Sequence, residues 1–181
     1  GADPSNDAQI LKVSSALYTN YRLRRVYYSA FSPIPDSSKV LPVTSAPLLR
    51  EHRLYQSDWL MRFYGYKHKE ITAGTDDLAQ AGMLALDVDP KLGWALRNRH
   101  FFPVDLNRDS REQLLRVPGL GVKTVDLLVK MRRVRAIRLL DLARMRTSYT
   151  KALPFMSCKD HHPSGQELTS AALRAQYAPQ T

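Results

Sequence analysis

Cysteine is nearly missing from this chain: Cys158 stands alone among 181 residues, so no internal disulfide can form. Long hydrophobic runs are missing too. No apolar stretch approaches the roughly 20 residues that span a bilayer, which excludes a helical membrane protein. Residues 1–25 lack the basic, apolar and small-residue succession of a signal peptide, and with a single thiol the expected compartment is a reducing cytoplasm. Strand-like runs are few, so the expected fold class is mainly α with a small α/β part. What remains is a globular composition, 44% hydrophobic and 24% charged, long enough for one domain or two small ones.

Acidic residues are scarce in one place. Residues 91–151 hold 15 Lys and Arg against 5 Asp and Glu, while the rest of the chain holds 12 of each, so the whole net charge of +10 lies in that segment. A solvated surface normally interleaves both signs. A concentrated basic segment beside a neutral remainder favours a polyanionic partner.

Along the chain, Asp3-Pro4-Ser5 opens like a helix start, and Ile10, Leu11, Ser14 and Leu17 recur at helical spacing up to Asn20. Arg25-Val26-Tyr27-Tyr28-Ser29-Ala30-Phe31 then reads as a strand, stopped by Ser32-Pro33-Ile34-Pro35. Such a strand needs partners from elsewhere in the chain or outside it. Residues 32–47 hold four prolines and several serines, a loop composition that marks a boundary. Pro47 suits the first turn of a helix in which Leu48, His52, Tyr55, Trp59 and Phe63 form a buried stripe, ended by Gly65. His52 on that stripe is expected as a core-edge histidine with a satisfied hydrogen bond and no chemistry.

Asp89-Pro90 starts another helix carrying Leu92 and Leu96, closed by Phe101-Phe102-Pro103. Ser110 and Gln113 have capping-box spacing for a short helix with Leu114, Leu115 and Val117. Pro118-Gly119-Leu120-Gly121 interrupts it, a new helix follows with Val122, Val125 and Leu128, and a further helix is expected from Asp141. From residue 157 the chain is polar without period and reads as a loosely ordered tail. Cys158, His161 and His162 are too few for a closed tetrahedral zinc site, so no metal is expected.

The glycine turn carries the candidate chemistry. Both glycines allow a tight backbone with outward amides, and the unpaired N-terminal amides and positive dipole end of the next helix add to one small anion site. Lys123 supplies a full charge beside it. Leu120 is placed to plug the gap between the helices, over a small core of Leu115, Val125 and Leu128. The expected binding residues are Pro118, Gly119, Leu120, Gly121, Val122, Lys123 and Thr124, with the phosphate backbone of duplex DNA as partner and no residue assigned a catalytic role. A plain helical corner with a glycine C-cap is the bland alternative.

The run from Leu114 to Thr124 resembles the helix-hairpin-helix motif of DNA repair proteins such as DNA glycosylases, departing from it at Val125, where that motif more often has alanine. A wider resemblance rests on Arg24-Arg25-Val26-Tyr27-Tyr28-Ser29-Ala30-Phe31-Ser32-Pro33-Ile34, on Pro47-Leu48-Leu49-Arg50-Glu51-His52-Arg53-Leu54-Tyr55-Gln56, and on residues 87–121. These are similar to the C-terminal half of a bacterial radical S-adenosylmethionine (radical SAM) family assigned to DNA modification or repair. The resemblance implies a helix-hairpin-helix domain following the tail end of a partial α/β barrel. It divides the chain into a barrel piece (1–43), a bridging helical segment (44–86), a DNA-binding domain (87–156) and the tail (157–181). For the intact protein it implies S-adenosylmethionine and a 4Fe–4S cluster. The family's cysteine triplet is absent here, so no cofactor is expected in this chain, which reads as a fragment or subunit needing the missing N-terminal half of the barrel in cis or trans. Two rivals stand beside DNA backbone binding. One is glycosylase-like base excision with Lys123 and Asp141, although Asp141 reads more simply as a helix N-cap. The other is a basic protein-interaction module.

Overall fold

In the computed structural model, which describes residues 3–34, 45–72, 81–145, 149–163 and 169–178, helices dominate. The sheet found among those residues is a parallel pair of two-residue strands. No helix among them is long and apolar enough to cross a membrane. The chain divides into two compact units, Gly1–Pro90 and Lys91–Thr181. The expected barrel piece and bridging segment therefore belong to one unit, and the boundary expected near residue 43 falls outside the described residues.

In the first unit α1 spans Asp7–Tyr21. It starts a turn later than Asp3-Pro4-Ser5 suggested. The Asn6 side chain accepts from the Gln9 amide and the Gln9 side chain from the Asn6 amide, each at 2.9 Å, so this reciprocal pair fixes the helix start. Helix α2, Leu48–Phe63, follows Pro47 as expected and gives way to Gly65 at φ 72°. Nothing lies within 4 Å of where a Cβ would stand on Gly65, so glycine is favoured there by backbone conformation alone. A short α3, His68–Thr72, completes the described helices of this unit.

Two expectations fail in this unit for one physical reason. The stripe Leu48, His52, Tyr55, Trp59, Phe63 is not the buried face of α2: Leu48, Trp59 and Phe63 are 60%, 61% and 46% exposed, His52 is exposed, and Tyr55 is half-buried. The buried face is Leu54, Ser57, Asp58 and Leu60. Counting apolar residues alone misplaced it, because Asp58 is inside as an acceptor for the hydroxyls of Tyr18 and Tyr28, and Ser57 donates to the Arg53 carbonyl. Residues 25–31, expected as a strand, join no sheet. The chain there alternates as a strand would, with Tyr28 buried, Val26 and Ala30 half-buried, and Arg25, Tyr27 and Ser29 exposed. Side chains replace the missing ladder. The amides of Val26, Tyr28 and Ala30 donate to Tyr18 Oη, Tyr55 Oη and Glu51 Oε2 at 3.1, 3.0 and 2.8 Å, and Tyr55 Oη donates back to the Tyr28 carbonyl.

The second unit begins with α4, Pro90–Arg97, and a 3₁₀ turn, Arg99–Phe101. Strand β1, Val104–Asp105, pairs in parallel with β2, Met156–Ser157, in the register Val104↔Met156. Between them lie α5 (Arg111–Leu114), α6 (Val122–Met131), α7 (Leu139–Arg144), α8 (Tyr149–Ala152) and a 3₁₀ turn at Leu153–Phe155. Phe155 is fully buried, with its ring 5.1 Å from Phe102, which joins an edge-to-face cluster with Trp94 and Phe101. The expected loose tail is corrected. Ser157 and Cys158 are buried, and α9, Ser170–Tyr177, docks through fully buried Leu173 and through Ser170 Oγ, which donates to the Leu96 carbonyl at 2.9 Å. With the Thr169 cap accepting from the Ala172 amide and Tyr177 Oη donating to the Thr150 carbonyl at 3.3 Å, these contacts hold a helix that polar composition conceals.

Candidate nucleic-acid interface

The turn between α5 and α6 is built from both ends. Ser110 Oγ accepts from the Gln113 amide at 3.2 Å and Gln113 Oε1 accepts from the Ser110 amide at 2.9 Å, the reciprocal cap its spacing predicts. The chain then tightens through Arg116 N–H to Gln113 O (2.9 Å), Val117 N–H to Leu114 O (3.1 Å) and Leu120 N–H to Val117 O (3.3 Å). Gly119 sits at φ 83°, the left-handed region that disfavours a Cβ. Gly121 does not: as N-cap of α6 it has φ −88° and ψ 165°, extended backbone open to any residue. The expected need for two permissive glycines thus holds at one of them.

Leu120 is 1% exposed between the two part-exposed glycines, and Leu114, Leu115, Val117, Val125 and Leu128 are buried at 2% or less. The small core expected under the hairpin is present. Sequence reasoning missed Lys91, which reads as an ordinary lysine of a first helical turn. Its side chain is buried, and Nζ donates to the Leu120 carbonyl at 2.6 Å, tying α4 to the hairpin and setting an ammonium group behind it. Pro118 is buried, Val122 and Thr124 are part-exposed, and Lys123 is exposed. Among the described residues no protein acceptor takes the backbone N–H of Val122, Lys123 or Thr124, the first three residues of α6. Their amides and the positive end of a ten-residue helix converge beside a free lysine.

Much of the basic excess is used internally. Arg111 pairs with Asp126 at 2.7 Å, Arg132 donates to the carbonyls of Leu106 and Asp109, and Arg116 lies 4.9 Å over the Trp94 ring. Lys123, Lys130 and Arg133 make no ion pair among the described residues and are exposed. Lys123 and Lys130 are two turns apart on α6, so both charges share one face of that helix.

Asp141 is not the N-cap of α7 but its third residue. Its carboxylate accepts from both guanidinium nitrogens of Arg135, at 2.9 and 2.6 Å, and from the Arg138 amide at 2.9 Å. The Arg135 bonds, then the Arg138 amide, hold its pKa down to about 2. Lys123 makes no ion pair with it. Cys158 Sγ donates to Asp160 at 3.4 Å, burial pushes its thiol up to about 11, and the His161 ring contacts the Leu153 carbonyl at 3.0 Å. No group of three or more His, Cys, Asp or Glu able to hold a metal occurs among the described residues. These residues do not fit the cluster that the resemblance implies for a longer protein.

No protein-family model, curated protein or solved structure compared with this chain matches it.

Proposed function

We propose that the unit Lys91–Thr181 binds duplex DNA through its phosphate backbone, without reading base sequence, at the hairpin Pro118–Thr124. The observation that carries this reading is the set of unclaimed amides of Val122, Lys123 and Thr124 at the start of α6, beside exposed Lys123, in the segment holding the entire charge excess. Buried Leu120 and Lys91 support it by fixing the turn from beneath, which spares the site ordering entropy on binding. Backbone amides meet phosphate oxygens, which are the same at every base pair. The chain would then serve as the C-terminal part of a larger DNA modification or repair protein of the radical SAM kind, the chemistry lying in the missing half. A reducing cytoplasm suits its buried, protonated Cys158. Base excision by this chain is disfavoured because the Asp141 carboxylate is taken up by Arg135 and the Arg138 amide and makes no ion pair with Lys123.

Titration of labelled duplexes of unrelated sequence, at several salt concentrations, tests the reading. The isotherms should superimpose, and affinity should fall steeply with salt. A preference above about a hundredfold for one sequence would contradict it, since phosphate contacts do not discriminate on that scale. Binding indifferent to salt, or no binding, would leave the basic segment to a protein partner.

A further inference from the structure

Trp59 and Phe63 stand one turn apart on α2, 61% and 46% exposed, with ring centres 5.7 Å apart and planes tilted by 51°. Large aromatic side chains gain from leaving water, so two of them exposed side by side mark a surface that something covers. Beside Phe63 lies a groove of about 760 Å³, lined by Tyr18 of α1, by Arg62, and by Lys67, His68 and Lys69 where α3 begins. Among the described residues no carboxylate lines it, although Glu70 Oε2 accepts from the Lys67 amide at 2.7 Å beside it. Arg62 lies 4.9 Å over the Phe63 ring and 5.7 Å from the Tyr18 ring, and its bond to Asp58 at 3.5 Å holds it there. Lys67 and Lys69 are exposed and make no ion pair among the described residues. Burial, Lys69 and Lys12 push His68 below its ordinary pKa, so the groove's charge rests on the arginine and the lysines.

We propose that this groove and the aromatic pair beside it bind single-stranded nucleic acid, one base on Phe63, the next on Trp59, with phosphates drawn to Lys67 and Lys69. Exposed rings accept any base by stacking, and two exposed lysines that make no ion pair among the described residues attract phosphate, the two requirements of a single-strand platform. A protein partner with an apolar helix would match the rings and leave the lysines unused. A lone nucleotide would match the groove and leave Trp59 unused. This site lies in the first unit and does not depend on the hairpin reading.

The test uses the full chain and a ten-residue oligothymidylate. Trp94, the other tryptophan, is 7% exposed, so quenching on titration reports Trp59. We expect quenching that Trp59→Phe abolishes and Lys123→Ala leaves in place. Phe63→Ala should weaken binding about fivefold or more, the lower range for one stacked base. The double variant Lys67→Ala, Lys69→Ala removes two unpartnered surface charges without touching packing. It should make the log K against log salt slope shallower by about 1.4, from ~0.7 per phosphate on a single strand. Oligothymidylate binding without change in Trp59 emission would overturn the proposal, as would unaltered binding by Phe63→Ala. Equal quenching by thymidine monophosphate at the same concentration would make this a mononucleotide site. A change of emission with protein concentration alone would place a second copy of the chain on the face. Either result contradicts the single-strand assignment.

Discussion

The two units are held together by different chemistry. In the second, the fully buried side chains are Leu92, Leu106, Leu114, Leu128, Ile137, Leu142, Phe155 and Met156 among others, an apolar core under short capped helices. In the first, buried Asp7, Ser14, Ser57 and Asp58 sit among the apolar residues, and a phenol network (Tyr18, Tyr28, Tyr55) holds both a helix face and an extended segment. Apolar burial is non-directional and tolerant, whereas a buried polar network stands only if every member is satisfied. The second unit also buries Lys91, Asp141 and Ser157, but in the first the hydrogen-bonded phenols take the place of a sheet.

Single substitutions sharpen that contrast most. Phe155→Ala should cost about 3–5 kcal/mol in urea unfolding, the range for an emptied aromatic core site. Asp58→Ala removes little volume yet strands the Tyr18 phenol donor, while Tyr28 keeps its bond to Ser14 Oγ at 2.8 Å, and about 1–3 kcal/mol of loss is expected. If Asp58→Ala proved neutral, the first unit would rest on apolar packing like the second.

The acid end of the pH scale should separate the units, since Cys158 of the second unit, pushed up to about 11 by burial, gives it an alkaline loss as well. Burial, then donation to Asp58, push the Tyr18 hydroxyl from 10.0 up to about 12, and burial moves Tyr28 the same way. Folding thus favours the neutral phenols. That stabilisation is complete below about pH 10 and is lost as pH rises toward 12. Asp141 in the second unit is lowered from 3.8 to about 2, so its contribution is complete above about pH 4 and is lost as pH falls toward 2. Tyrosine absorbance against pH should report the alkaline transition, and Trp94 emission the acid one. Coincident loss of both signals at the acid end would erase the contrast.

A smaller effect lies in hydrogen exchange of residues 25–30. The amides of Val26, Tyr28 and Ala30 should exchange more slowly than those of Arg25, Tyr27 and Ser29, because among the described residues only these alternate donors have partners. Uniform exchange would mean that the side-chain ladder does not persist.

The contrast also decides what was legible in the sequence. Local signals sufficed for the turn between α5 and α6: Ser110 and Gln113 announce their cap, Gly119 its turn, and Leu120, Val125 and Leu128 their burial. Each is set within a few residues. The face of α2 was not legible, because Asp58 goes inside to meet Tyr18 and Tyr28, 40 and 30 residues away. Residues 25–31 have strand chemistry and strand alternation, but their partners are side chains on two helices, which periodicity does not register. Lys91 was invisible for the same reason: its role depends on a carbonyl 29 residues on.

The central claim, a backbone phosphate site at the start of α6, is tested most directly by measuring duplex affinity against salt for two variants. Gly121 has backbone angles that valine can adopt, so Gly121→Val should keep the helical circular dichroism of the parent while placing a side chain over the amides of residues 122–124. Lys123→Ala removes one charge and leaves those amides open. We expect Lys123→Ala to bind all sequences more weakly, with a slope shallower by about 0.9, the value for one phosphate contact on B-DNA. Gly121→Val should lose more affinity than Lys123→Ala. Parental binding by both variants would make the turn a helical corner and contradict the account.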